Sequence, residues 1–144
     1  MHNYKKTTAG FTLLELLVVV SIISILLTLG AVAYSTAQQK GRDAKRRADI
    51  KALQSGFEQF HAQVGYYRTC LMRDDLSIFP EGAPLDPKTK LDYFCKTTPP
   101  NQTQRETYCI CALLETGGGN ATDSDCSGLG VTTDGDYFCL INLQ

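Results

Sequence analysis

The chain has no proline before Pro80, and all five prolines fall at positions 80, 84, 87, 99 and 100. It has no cysteine before Cys70 and only one charged residue, Glu15, between Phe11 and Tyr34. Without proline, nothing in the first half removes a backbone donor or clashes with a preceding turn, so a long helix is permitted there. Histidine is scarce as well. His2 and His61 both lie outside the segment that carries the cysteines, and no Cys-x-x-Cys pair exists. That spacing argues against zinc and for another use of the thiols. No G-x-S-x-G, H-E-x-x-H or P-loop pattern occurs, so the sequence predicts no enzyme and no resident cofactor, calcium being the one ion to consider.

The 144 residues, 43% of them apolar, allow one modest domain with appendages. Net charge is −1 but unevenly divided. Residues 1–64 hold eight Lys/Arg against four acids, and residues 65–144 hold six against eleven. A basic stem therefore precedes an acidic head. The head carries all six cysteines: Cys70, Cys95, Cys109, Cys111, Cys126 and Cys139. An even number in a small, loop-rich segment reads as a disulfide framework formed outside the cytoplasm. Six cysteines allow 15 pairings. Cys109 and Cys111, two apart on one face of a strand, are expected to take different partners.

Residues 1–10 are a short polar leader with Lys5 and Lys6 as its formal charges. Residues 11–35 form an apolar helix. As a helix, Phe11 to Tyr34 measures about 36 Å, enough to cross a hydrocarbon core of about 30 Å. Residues 36–65 continue it as an amphipathic helix, because Ile50, Leu53, Phe57, Phe60 and Val64 form one apolar stripe and Gly65 supplies a C-terminal cap. Gly30, Gly41 and Gly56 soften this helix at about 1 kcal/mol each relative to Ala. Residues 66–144 are the head, with predicted strands at 91–96, 106–114 and 136–143. The connector 97–105 suits a hairpin, and the long connector 115–135 contains Cys126 as its clamp. The predicted fold is α+β, a long N-terminal helix packed on a three-stranded antiparallel sheet stapled by disulfides.

An acid inside an apolar span costs about 2.5–3.5 kcal/mol at the bilayer centre, less near an interface. Glu15 either reaches the headgroups or acquires a cationic partner. Cleavage after Gly10 creates such a partner, the α-amino group of Phe11. The run from Lys5 and Lys6 through Gly10 and Phe11-Thr12-Leu13-Leu14-Glu15 into the apolar stretch closely resembles the N-terminus of type IV prepilins and pseudopilins. The resemblance is strongest over residues 5–35 and looser through Gly65. It implies cleavage between Gly10 and Phe11 by a prepilin peptidase, N-methylation of Phe11, and a Glu15 that neutralises the amine of an adjacent subunit during filament assembly. It further implies a single-pass membrane precursor, then a homo-oligomeric surface filament built by pilus or secretion machinery. Two charges that are costly in lipid separately become tolerable as a pair.

The chain departs from the family pattern at Val32, where many pilins carry a helix-breaking proline. Leu85-Asp86-Pro87 is similar to a motif of the major pseudopilins of type II secretion and keeps that alternative open. A second alternative is an ordinary secreted protein, since Ala31-Val32-Ala33 has the form of a signal-peptide cleavage site after Ala33. The acid within the span and the span's length oppose it. The basic run Lys40, Arg42, Lys45, Arg46 and Arg47 reads most simply as a solvated helix face, then as a partner for acidic heads of neighbouring subunits. A nucleic-acid role is the weakest reading of that run. His61 is expected at the boundary or surface. In the acidic connector, Asp123, Asp125, Asp134 and Asp136 are candidate oxygen ligands for calcium, as in a comparable loop of some pilins and pseudopilins. Asn101 and Asn120 begin sequons that are weak signals of glycosylation.

Overall fold

The computed structural model describes residues 10–67, 70, 79–80, 82–98, 106–126 and 135–143, with Val32 described in its backbone alone. One helix, α1 (Leu13–Val64), precedes three strands, β1 (Phe94–Thr98), β2 (Thr107–Leu113) and β3 (Tyr137–Ile141). The chain divides into two compact units, residues 1–37 and 38–144, with the boundary inside α1. The helix has 52 residues and stays helical through Gly30, Gly41 and Gly56. It ends at Gly65, whose φ of 80° is the left-handed conformation that glycine adopts without a Cβ clash, and whose N–H donates to the His61 carbonyl at 2.7 Å.

In the first unit the large apolar side chains from Phe11 to Leu29 are between 47% and 89% exposed. This part of α1 is long and apolar enough to cross a membrane, and its apolar window buries nothing within the protein. The polar side chains of the span are satisfied by the helix itself. Ser21 and Ser24 hydroxyls donate to the carbonyls of Leu17 and Val20, at 2.8 and 2.7 Å, and Thr28 donates to Ile25 at 2.8 Å. Each bond closes a donor that hydrocarbon would otherwise leave unmet.

In the second unit the three strands form an antiparallel sheet in the order β1-β2-β3. Strand alternation sends Cys95, Tyr108, Ile110, Ala112, Phe138 and Leu140 to the face that meets Ile50, Leu53 and Phe57 of α1. Phe57 stacks on Tyr108 with ring centroids 4.6 Å apart, and Tyr67 meets Tyr108 edge-on at 4.8 Å. The stripe predicted from Ile50 to Val64 is buried only in part. Ile50, Leu53 and Phe57 lie in the core, Phe60 is half-buried and Val64 is 42% exposed, because the sheet covers the helix from Ile50 to Phe57 and stops short of Val64.

The first strand begins later than its sequence suggested. Residues 91–93 follow a turn at 87–89, past which Lys90 adopts a φ of 61° and the Leu91 carbonyl accepts from the Asp86 N–H at 3.0 Å. With the Leu91 carbonyl already engaged, ladder pairing starts at Phe94 and runs to Thr98 opposite Thr107. The long connector is not structureless where it is described. It folds back along β3 through bridges of Gly119 with Gly135 and Ala121 with Tyr137. The Asn120 side chain completes that edge, accepting from the Cys139 N–H at 2.7 Å and donating to its carbonyl at 2.8 Å. The Asn120 amide therefore serves the fold, and Asn101 lies outside the described residues.

Candidate functional site

At the start of α1, Thr12 and Glu15 form a reciprocal cap. Thr12 donates its backbone N–H and its hydroxyl to Glu15 Oε2 at 2.9 and 2.8 Å, and Thr12 Oγ1 accepts from the Glu15 N–H at 3.2 Å. This is the arrangement that Thr-x-x-Glu produces at a helix N-terminus, where the first N–H groups have no intrahelical partner. Gly10 and Phe11 precede it in exposed, irregular chain, with Phe11 89% exposed. Both Thr12 donors fall on Oε2 of Glu15. The Thr-x-x-Glu spacing of Thr12-Leu13-Leu14-Glu15 is the sequence signal for this cap.

Further along α1, in the second unit, the basic run is a solvated face only at Lys40 and Lys45, while Arg42, Arg46 and Arg47 turn to the head. Arg46 is 3% exposed and meets three acids, Asp86 at 2.6 Å through Nε, Asp43 at 2.8 Å and Glu115 at 2.9 Å through Nη1. Arg42 grips the two oxygens of Glu115 at 2.7 Å each, and Lys88 adds a contact at 3.0 Å. Asp43 in turn accepts from the N–H groups of Glu115 and Thr116 at 2.9 Å and from the Thr116 hydroxyl at 2.7 Å. Lys45 pairs with Asp49 at 2.7 Å, and Arg47 donates to the Gly118 carbonyl at 2.7 Å while lying over the Phe138 ring. The acidic partners are thus in the same chain: Asp43 and Asp49 on the helix itself, Asp86 and Glu115 between 40 and 73 residues away.

The charges in this clasp shift accordingly. Burial alone pushes the Asp86 carboxyl up, but the Arg46 guanidinium and the N–H groups of Thr89 and Lys88 outweigh it and hold it at about 2. Burial likewise opposes the charged forms of Asp43 and Arg46. Hydrogen bonds from Glu115, Thr116 and Arg46 keep Asp43 low, and those to Asp86, Asp43 and Glu115 keep Arg46 high. Glu115 is driven down by Arg42 first and by Lys88 next. Lower on the helix, Glu58 accepts the phenol hydroxyls of Tyr108 at 2.7 Å and Tyr67 at 3.1 Å. Burial, reinforced by that carboxylate, raises both phenols, Tyr67 to about 12. His61 is half-buried and stacks on Tyr67 at 4.3 Å.

The cysteines pair as Cys70–Cys95, Cys109–Cys126 and Cys111–Cys139. Cys109 and Cys111 do have different partners. Both point to the outer face of the sheet, where Cys126 and Cys139 join them, and the four Sγ atoms lie within 4.8 Å of one another. Of the calcium candidates, Asp123 accepts from the Asp125 N–H at 3.3 Å and Asp125 pairs with Lys96 at 3.5 Å. The Asp136 carbonyl accepts from Leu114, and Asp134 lies outside the described residues.

Residues 5–31 match the family model described as the prokaryotic N-terminal methylation motif. This is the leader motif of type IV pilins and pseudopilins, and it implies processing by a prepilin peptidase. The match covers this N-terminal segment alone and supports a pilin-like or pseudopilin precursor. No curated protein and no solved structure matches it.

Proposed function

We propose that this chain is a structural subunit of a type IV pilus-like filament. The leader is cut between Gly10 and Phe11, Phe11 is N-methylated, and residues 11–35 hold the subunit in the membrane until it polymerises through its apolar helix into a surface filament. The observation that carries this reading is the leader motif feeding an apolar helix whose side chains are uncovered and whose one carboxylate sits at the mouth of the helix. In the single chain Glu15 is bonded to Thr12, and the amine of a second subunit approaches its other oxygen without breaking the cap. The pseudopilin alternative rests on Leu85-Asp86-Pro87 alone, a stretch too short to choose between the two systems. Cleavage after Ala33 fits less well, because residues 31–33 lie inside α1. Calcium at Asp123, Asp125, Asp134 and Asp136 is an addition to the proposal. A rise in melting temperature when calcium is restored to the chelated protein supports it, and no change removes it.

The test is the intact mass of the mature protein from its host. Loss of residues 1–10 with one methyl group gained is the expected result. Loss of residues 1–33 would discard the anchor, the filament and the Glu15 contact together.

A further inference from the structure

The outer face of the sheet gathers four sulfurs that the sequence scatters over 31 residues. Cys109 Sγ lies 3.5 Å from Cys111 Sγ, and Cys111 Sγ lies 3.6 Å from Cys126 Sγ, although neither pair is bonded. With Zn–S bonds of about 2.3 Å, neighbouring sulfurs of a tetrahedral zinc thiolate stand about 3.8 Å apart. Two edges of that tetrahedron are therefore nearly in place. The positions are fixed by backbone: Cys109 and Cys111 sit on β2, Cys139 is the register partner of Cys111, and Asn120 holds both the N–H and the carbonyl of Cys139. Cys109, Cys111 and Cys139 are 7%, 1% and 0% exposed, and Ala121 closes over them at 0%. Lys96 stands opposite Cys109 on the same face, where a cation offsets the negative charge of a tetrathiolate. The third disulfide has no part in this group, since Cys95 faces the helix.

We infer that, before its disulfides form, the head binds one zinc ion through Cys109, Cys111, Cys126 and Cys139. The chain is made with thiols, so no reductant is needed at that stage. Zinc replaces the four thiol protons. Later exchange with a disulfide-bearing oxidant forms each bridge, passes its two electrons to the oxidant's own disulfide, which leaves as two thiols with protons from water, and releases the metal. Metal and disulfides are alternative staples for one site, and the inference stands apart from the filament reading.

The test uses the full chain in detergent micelles, with each disulfide reduced by a trialkylphosphine, which takes its oxygen from water as it delivers two thiols. A small excess of Zn²⁺ is added and bound metal is read by native mass spectrometry. The expected gain is one zinc less four protons, kept in the Cys70→Ser/Cys95→Ser variant. Cys111→Ser should weaken binding by more than about 100-fold, beyond the loss that an outer-shell partner causes. No uptake by the reduced wild type overturns the inference. Equal uptake by Cys111→Ser also overturns it, because the metal would then be held by whichever thiols a loose chain offers.

Discussion

A carboxylate in the first turn of a helix faces N–H groups that have no partner and the positive end of the backbone dipole. Glu15 meets both needs through Thr12, so its place in an apolar run has a cause within the single chain as well as the proposed one between chains. The two roles separate by substitution. Thr12→Ala should cost about 1 kcal/mol of local helix stability and leave filament yield close to normal. Glu15→Gln keeps an acceptor for the cap but removes the charge, and sheared filaments should disappear from the cell surface. Equal filament yield from Glu15→Gln would end the charge-pairing account. In the head, a Cβ at Gly135 would overlap the Ala121 carbonyl, where the connector pairs with the edge of the sheet. Gly135→Ala should therefore cost about 2 kcal/mol, measured by denaturant titration.

Between elements, the clasp and the aromatic core divide the attachment of α1 to the sheet. Phe57 and Ile50 supply apolar burial, while Arg46 draws the turn at Asp86 and the chain just past β2 at Glu115 onto the helix. Removing one partner of a buried pair leaves the others uncompensated, so Arg46→Met should destabilise the head by about 3 kcal/mol. Its pH dependence has a definite sign. The Asp86 carboxyl titrates at about 2 in the fold against an ordinary 3.8, so its stabilising effect is complete above 3.8 and is lost as pH falls toward 2. Asp43 and Glu115 are lowered in the same direction. Melting temperature should fall across that window, and Asp86→Asn should lower it at neutral pH while flattening the acid limb. A wild-type curve that stays level down to pH 2 would contradict the clasp.

For the molecule as a whole, the division near residue 37 predicts that a chain starting at Gln38 melts cooperatively in buffer without detergent, whereas the full chain requires detergent. A non-cooperative melt of the shorter chain would show that the head depends on the span. Helix and sheet were legible from local sequence, as was the motif matched over residues 5–31, because hydrophobic period, proline placement and turn chemistry act over a few residues. Gly65 ended the helix as its position announced. What local pattern misplaced was everything decided across the fold. Arg46 looked like one more surface cation until the sheet brought Asp86 and Glu115 to it. Val64 looked like core until the sheet stopped short of it. Cysteine spacing gave a count and one exclusion, but the pairing, and the meeting of four sulfurs on one face, follow from strand register and from the connector that folds back along β3. The sequence by itself determined the elements and the N-terminal methylation motif, because each rests on neighbours in the chain. Only the tertiary structure decided which charges and which sulfurs share a site, because those partners lie up to 73 residues apart and meet only once the sheet lies on the helix.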